Sequence, residues 1–86
     1  MKIKYSKDAI KFLEKQPKKV VERIREAIVG LTLYPAEGDI ALMKGYADGR
    51  KRLRVGTLRV IFKTTKESQV EILLIIDIGN RGDIYK

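Results

Sequence analysis

An α+β fold is predicted for this chain: an N-terminal strand, a two-helix hairpin, then an antiparallel β-meander packed on the helices. Three observations predict it. Between Ser6 and Tyr34 apolar residues recur at three- and four-residue steps. From Arg50 onward they alternate at period two. Between these stretches glycine and proline punctuate the chain. At 86 residues the whole chain, 1–86, reads as a single domain. A core of that size is modest but adequate, because a folded chain this short buries about 60–65% of its unfolded surface.

Each element has its own justification. Lys2 to Tyr5 alternates polar and apolar residues, with Ile3 and Tyr5 on one face, and reads as a short strand. Ser6 is an N-cap candidate for a helix running through about Lys15, and Asp8 suits its first turn. Ala9, Phe12, Leu13 and Ile10 form its apolar side. Pro17 fits the first position of a second helix. There Val21, Ile24, Ile28 and Leu31 recur in helical steps, supported by Val20 and Ala27, until Pro35 ends the helix. From Pro35 to Gly49 the chain reads as loop, with Leu42 and Met43 expected to pin it to the core. A three-strand meander follows. Arg50 to Val55 and Leu58 to Lys63 flank a Gly56-Thr57 hairpin turn. Thr64 to Ser68 reads as a polar turn. Val70 to Ile78 is apolar and rich in β-branched residues, as in a strand covered on both faces. Gly79-Asn80-Arg81-Gly82 reads as a turn.

Composition excludes several kinds of chemistry. With no cysteine there is no disulfide, no zinc–thiolate site and no cysteine nucleophile. With no histidine the commonest general base and metal ligand is missing. No metal and no cofactor is therefore expected. No apolar run approaches the ~20 residues that cross a bilayer, and Met1 to Tyr5 lacks the apolar stretch of a signal peptide. The expectation is a cytoplasmic protein with no membrane partner.

Charge is the first positive clue. Nineteen Lys and Arg against eleven Asp and Glu give a net +8, which predisposes a small domain to polyanions or to an acidic protein. Lys18, Lys19, Arg23 and Arg25 are interleaved with Glu22 and Glu26 and read as a solvated helix face. Arg50, Lys51, Arg52, Arg54, Arg59, Lys63 and Lys66 form a second cluster with no acidic residue among them. Period-two geometry puts Arg50, Arg52 and Arg54 on one side of their strand, and Arg59 opposite Leu58, Val60 and Phe62. If the aliphatic sets face the helices, the arginines share the open face. Arg81 follows the longest apolar strand, and Tyr85 lies four residues on. Guanidiniums with a nearby tyrosine suit a phosphate backbone and a stacked base. Blander roles are open for each: Arg54 pairing with Glu71 or Asp77, Arg59 as an exposed strand charge, Tyr85 as a packing residue, Asp83 neutralising Arg81.

Two segments carry a resemblance. Arg52-Leu53-Arg54-Val55-Gly56-Thr57-Leu58-Arg59-Val60-Ile61-Phe62 and Ile78-Gly79-Asn80-Arg81-Gly82-Asp83-Ile84-Tyr85-Lys86 are similar to the central hairpin and terminal signatures of the RelE branch of the RelE/ParE toxin superfamily. The order and length of the other elements match too, so the resemblance spans nearly the whole chain. It implies a microbial-ribonuclease-like fold and an endoribonuclease that cuts mRNA in the ribosomal A site, restrained by a co-expressed antitoxin in a type II toxin–antitoxin system. By the same resemblance, Arg59 contacts the scissile phosphate, Arg81 stabilises the transition state, and Tyr85 orients the nucleophile or stacks on the base. Arg50, Lys51, Arg52, Arg54 and Lys63 are the expected RNA-binding set, although Arg50 and Arg52 fall where several relatives carry lysines.

That departure bears on mechanism. Cleavage by the ribose 2′-hydroxyl needs a proton removed, phosphorane charge stabilised and a leaving 5′-oxygen protonated. Arginine does the second well, as a fixed bidentate cation, and proton transfer poorly. The proton carriers must then come from Lys51, Lys63, Lys86, Tyr85, Asp83, or the RNA and ribosome. The competing expectations are a ParE-type inhibitor of DNA gyrase, a non-catalytic RNA- or ribosome-binding module, and an inactivated toxin serving only as a co-repressor. In each toxin reading, a basic groove calls for an acidic or amphipathic antitoxin segment.

Overall fold

The computed structural model describes residues 1–80, which form one five-stranded sheet with two helices on one face. In chain order the elements are β1 (Lys2–Tyr5), α1 (Lys7–Glu14), α2 (Lys18–Gly30), β2 (Asp39–Leu42), β3 (Lys51–Val55), β4 (Leu58–Glu67) and β5 (Val70–Asn80). The strand order is β1-β5-β4-β3-β2. The α+β class and the strand–helix–helix–meander order are as expected.

Ser6 joins the first two layers. Its Oγ accepts from the Ala9 N–H at 3.0 Å, capping α1, and its hydroxyl donates to the Ile76 carbonyl at 2.6 Å. Its own N–H donates to the Ile75 carbonyl at 2.9 Å. One small polar residue thus ends β1, starts α1 and fastens both to β5. β1 runs parallel to β5, with Tyr5 opposite Ile75.

The core lies between the sheet and the helices. Ala9 of α1 and Ile24 and Ile28 of α2 are fully buried against Leu53, Val60, Leu73 and Ile75 of the sheet. Val55, Phe62 and Ile78 complete that sheet face, and Phe12, Leu13, Val20 and Ala27 pack at its margin. Spacing assigned the helical members and Leu53, Val55, Val60 and Phe62 to the core; within the apolar run of β5 the structure selects Leu73, Ile75 and Ile78, and Ile10 of the expected apolar side is exposed. Val21 instead lines a groove with Tyr5, Ile10 and Leu13, at the edge of the helical layer.

The structure corrects the sequence reading at five places. The meander has four strands, since Asp39–Leu42 pairs antiparallel with β3. Asp and Ala are poor strand formers, so propensity hides this edge strand. Leu42 is 65% exposed and does not pin the segment, whereas Ile40 packs on the core. Gly38 permits the approach, since at φ +131° a Cβ there would sit 2.5 Å from Leu53 Cδ1. The second helix ends at Gly30, ahead of Pro35, because its carbonyl accepts from the Glu37 and Leu33 N–H groups in a closing turn. Thr64 to Glu67 continue β4, and the turn is only Ser68-Gln69, both with positive φ (47° and 69°). Lastly, Gly79 and Asn80 belong to β5, opposite Arg59 and Leu58.

Candidate functional site

The site is the sheet face turned away from the helices. Strand register and pleat alternation fix its membership. Arg54 lies directly across from Arg59, and Arg52 from Ile61. On its other side Arg59 faces Gly79 of β5, which has no side chain to crowd the guanidinium. An extra residue in β5 at Ile76 shifts register, so Val60 pairs with Ile78 and Phe62 with Ile75. That bulge keeps Ile78 in the core while turning Asp77 and Gly79 to the open face. The centre of this face is apolar: Ile61 and Ile72 are buried, and Leu74 and Ile76 half-buried.

Arg59 is the exceptional residue. It is 5% exposed, and its Nε has no hydrogen-bond partner among the described residues. A buried N–H without a partner costs about 1–3 kcal/mol, so a donor left open in this way marks a place where an acceptor can be taken up. Beside it opens a cleft of about 350 Å³ lined by Arg54, Gly56, Thr57 and Arg59. Gly56 turns the hairpin at φ +61°, and a Cβ there would lie 3.5 Å from Nη1 of Arg23, which reaches over from α2. The cleft is therefore lined by two guanidiniums, a hydroxyl and a glycine turn, the chemistry of an anion site.

Four of the remaining cations, Arg50, Arg52, Arg54 and Lys63, are held by carboxylates, and for these the expectation of an un-neutralised cluster is corrected. Arg50 makes a two-point contact with Asp48, with Nη2 at 2.9 Å from Oδ2 and Nε at 3.1 Å from Oδ1. Its guanidinium lies over the Tyr46 ring at 4.3 Å, a cation–π contact. Lys63 Nζ reaches the same Asp48 carboxylate at 3.3 Å. Arg52 and Arg54 share Asp39 of β2 at 3.5 and 3.6 Å, and Arg52 also donates to the Asp39 carbonyl at 3.2 Å. The Arg54 partner is thus neither Glu71 nor Asp77. Asp77 is engaged locally, accepting from the Ile78 N–H at 2.9 Å. Lys51 shares the pleat side of Leu53 and Val55, opposite Arg50, Arg52 and Arg54. Arg81, Asp83, Tyr85 and Lys86 lie outside the described residues.

Sequence reasoning missed Asp39, Asp48 and Tyr46. Asp48-Gly49 is a turn signal, and Asp48 Oδ1 accepts the Arg50 N–H at 3.2 Å, so that pairing was available locally. The Asp39 contact depends on strand register and had no local signal. Asp48 also carries the clearest electrostatic signature. Hydrogen bonds from Arg50 hold its carboxyl well below the usual carboxylate range, against a desolvation penalty, and the Arg50 guanidinium is raised in turn by Asp48. A carboxylate with a depressed folded pKa contributes stability above its unfolded value, about 3.9, and loses it as pH falls through the folded one. The tether should therefore be intact from neutral pH down to the ordinary carboxylate range. An NMR pH titration should find the Asp48 carboxyl still ionised below the ordinary carboxylate range; protonation within that range would contradict it.

Residues 3–85 match the family model described as the ParE toxin of type II toxin–antitoxin systems, parDE. The chain belongs to this toxin family. It is a RelE/ParE-type toxin, and the family match covers almost its whole length. Its fold resembles RelE of the RelE–RelB complex from Pyrococcus horikoshii, at 26% identity and TM-score 0.74, over 95% of this chain and 96% of that one. It also resembles a YoeB/ParE toxin from Agrobacterium tumefaciens, at 18% identity and TM-score 0.77, over 94% and 99%. A RelB–RelE complex from Methanococcus jannaschii matches at 24% identity and TM-score 0.66, over 95% and 94%. A search of functionally curated proteins gives no match. Among the described residues, no helix of the toxin is long and apolar enough to cross a membrane.

Proposed function

We propose that this toxin is an endoribonuclease that cleaves mRNA on the ribosome, in the cytoplasm, by attack of a ribose 2′-hydroxyl on the adjacent phosphate. The observation that carries the reading is Arg59, buried and, among the described residues, unpartnered at Nε beside a cleft shared with Arg54. A phosphodiester oxygen in that cleft would satisfy the orphan donor, and phosphorane charge would strengthen the bond in the transition state. The resemblance adds Arg81 as a second stabilising cation and Tyr85 as the group that orients the nucleophile or stacks on the base. Arg50, Arg52, Arg54 and Lys63 would steer the RNA over the open face, with Lys51 adding charge from the opposite pleat side; the paired cations among them hold weak, exposed contacts that phosphates can exchange with. An acidic antitoxin segment covering this +8 toxin would close the cleft to RNA.

A second reading has its own support, because the matching family description names ParE and parDE. In that reading the toxin inhibits DNA gyrase and cuts nothing. One experiment separates the two. Purified toxin is added to translating ribosomes and message ends are mapped by primer extension, alongside a gyrase supercoiling assay. We expect new message ends at defined codons and unchanged supercoiling. Intact message with inhibited supercoiling would establish the gyrase reading instead. Intact message with ribosome or RNA binding alone would make the toxin a binding module.

A further inference from the structure

Counting charge on the β3–β4 face gives a result that the sequence concealed. Asp48 holds Arg50 and Lys63, and Asp39 holds Arg52 and Arg54, at 2.9–3.6 Å. Each group has two cations and one carboxylate, so each keeps one net positive charge. Five basic residues, with Arg59, therefore present a net charge of three. Among the described residues, Arg59 is the one guanidinium of this hairpin without a carboxylate partner. The carboxylates are placed for this role: Asp39 sits on the edge strand directly across from Arg54, and Asp48 is fixed by its bond to the Arg50 N–H.

We propose that Asp39 and Asp48 are specificity-determining residues: they hold down the affinity of the outer face for RNA, so that a bound strand is anchored at Arg59 and not along β3. The inference rests on the RNA-cleaving reading above. A strip of three free arginines at alternate positions of one strand would bind any polyanion in any register. Tethering them leaves a shallow, exchangeable attraction over most of the face and one strong anion site at its end. Asp48 is the stronger tether, with a two-point contact and a shared lysine, whereas both Asp39 contacts are long and half-exposed.

The test uses purified full-length toxin and a fluorescent single-stranded RNA oligonucleotide with 2′-O-methyl riboses, which cannot be cleaved. Binding is measured between about 50 and 200 mM salt for wild type, Asp48→Asn, Asp39→Asn, the double variant and a charge-matched control, Glu22→Gln on α2. Each Asp→Asn change uncovers one net charge, so the slope of log K against log salt should steepen by about 0.7 for each and about 1.4 for both. Glu22→Gln should leave it unchanged. In the double variant, adding Arg59→Ala should weaken binding far less than in wild type, because the strand then has other anchors. Cleavage of message by the double variant should show a lower KM without a higher kcat. Slopes that do not steepen, or that steepen equally with Glu22→Gln, overturn the inference while leaving an Arg59-dependent wild type in place. Wild-type binding that ignores Arg59→Ala overturns the RNA-cleaving reading and this inference with it. Circular dichroism melting confirms that each variant is folded, which the small worth of exposed ion pairs favours.

Discussion

Arg59→Met is expected to make the toxin more stable and inactive at once. The native residue is 5% exposed, and among the described residues its Nε has no hydrogen-bond partner. Replacing it by an apolar side chain of similar length removes the unsatisfied donor and retains packing, which should stabilise by about 1–3 kcal/mol. A gain near the lower end corresponds to a rise of roughly 5 °C in melting temperature for a domain of this size. Cleavage should move the other way. Losing one charge-stabilising donor typically costs about 10²–10³ in rate, and here the lost donor is a full cation. Thermal melting and primer extension on the same preparation check both halves. A variant that melts lower than wild type would mean that the guanidinium is satisfied internally and serves the fold. A variant that melts higher but cuts at the wild-type rate would remove Arg59 from the chemistry. The combination expected here is the signature of a residue kept for function at a cost in stability.

Ile75→Ala is expected to bring the toxin close to unfolding. Ile75 is fully buried in β5, opposite Tyr5 of β1 and Phe62 of β4, and its carbonyl accepts the Ser6 N–H. It stands where sheet, first strand and helical layer meet. Truncating a buried isoleucine costs about 2–5 kcal/mol through lost transfer energy and the cavity left behind. Total stability for a domain of this kind is only about 5–15 kcal/mol. Urea denaturation should show a midpoint lowered by that loss divided by the slope, with the slope unchanged. Ile10→Ala, on the same helical side but half-exposed, should change it little. Equal effects at the two positions would contradict this placement of the core.

The residues that were legible in advance are those whose signals are local. Ser6 announced the start of α1 through its side-chain chemistry. Ile24 and Ile28 announced their buried stripe through spacing, and Leu53, Val60 and Phe62 announced the inner sheet face through alternation. Alternation also placed Arg54 and Arg59 on the same outer face, where they meet as cross-strand partners. Asp39–Leu42 was illegible because an edge strand of poor strand formers is made by its partner's register and by the close approach that Gly38 allows. The extension of β4 through Thr64 to Glu67 was hidden by polarity, although β-branched threonines suit an exposed strand.

Chain order alone thus settled the α+β class, the inner face of the sheet and the surplus of positive charge, because periodicity and composition are properties of neighbours along the backbone. Which of those charges are available to a ligand was settled only by folding. Asp39 stands thirteen positions from Arg52, and Asp48 fifteen from Lys63, and only strand pairing brings these carboxylates within 3.5 Å of their cations. Among the described residues Arg59 has no such neighbour, with Gly79 on one side and Arg54 on the other. Coulomb attraction decays over a few ångströms in water, so a site built from it exists only once the third dimension has set the distances.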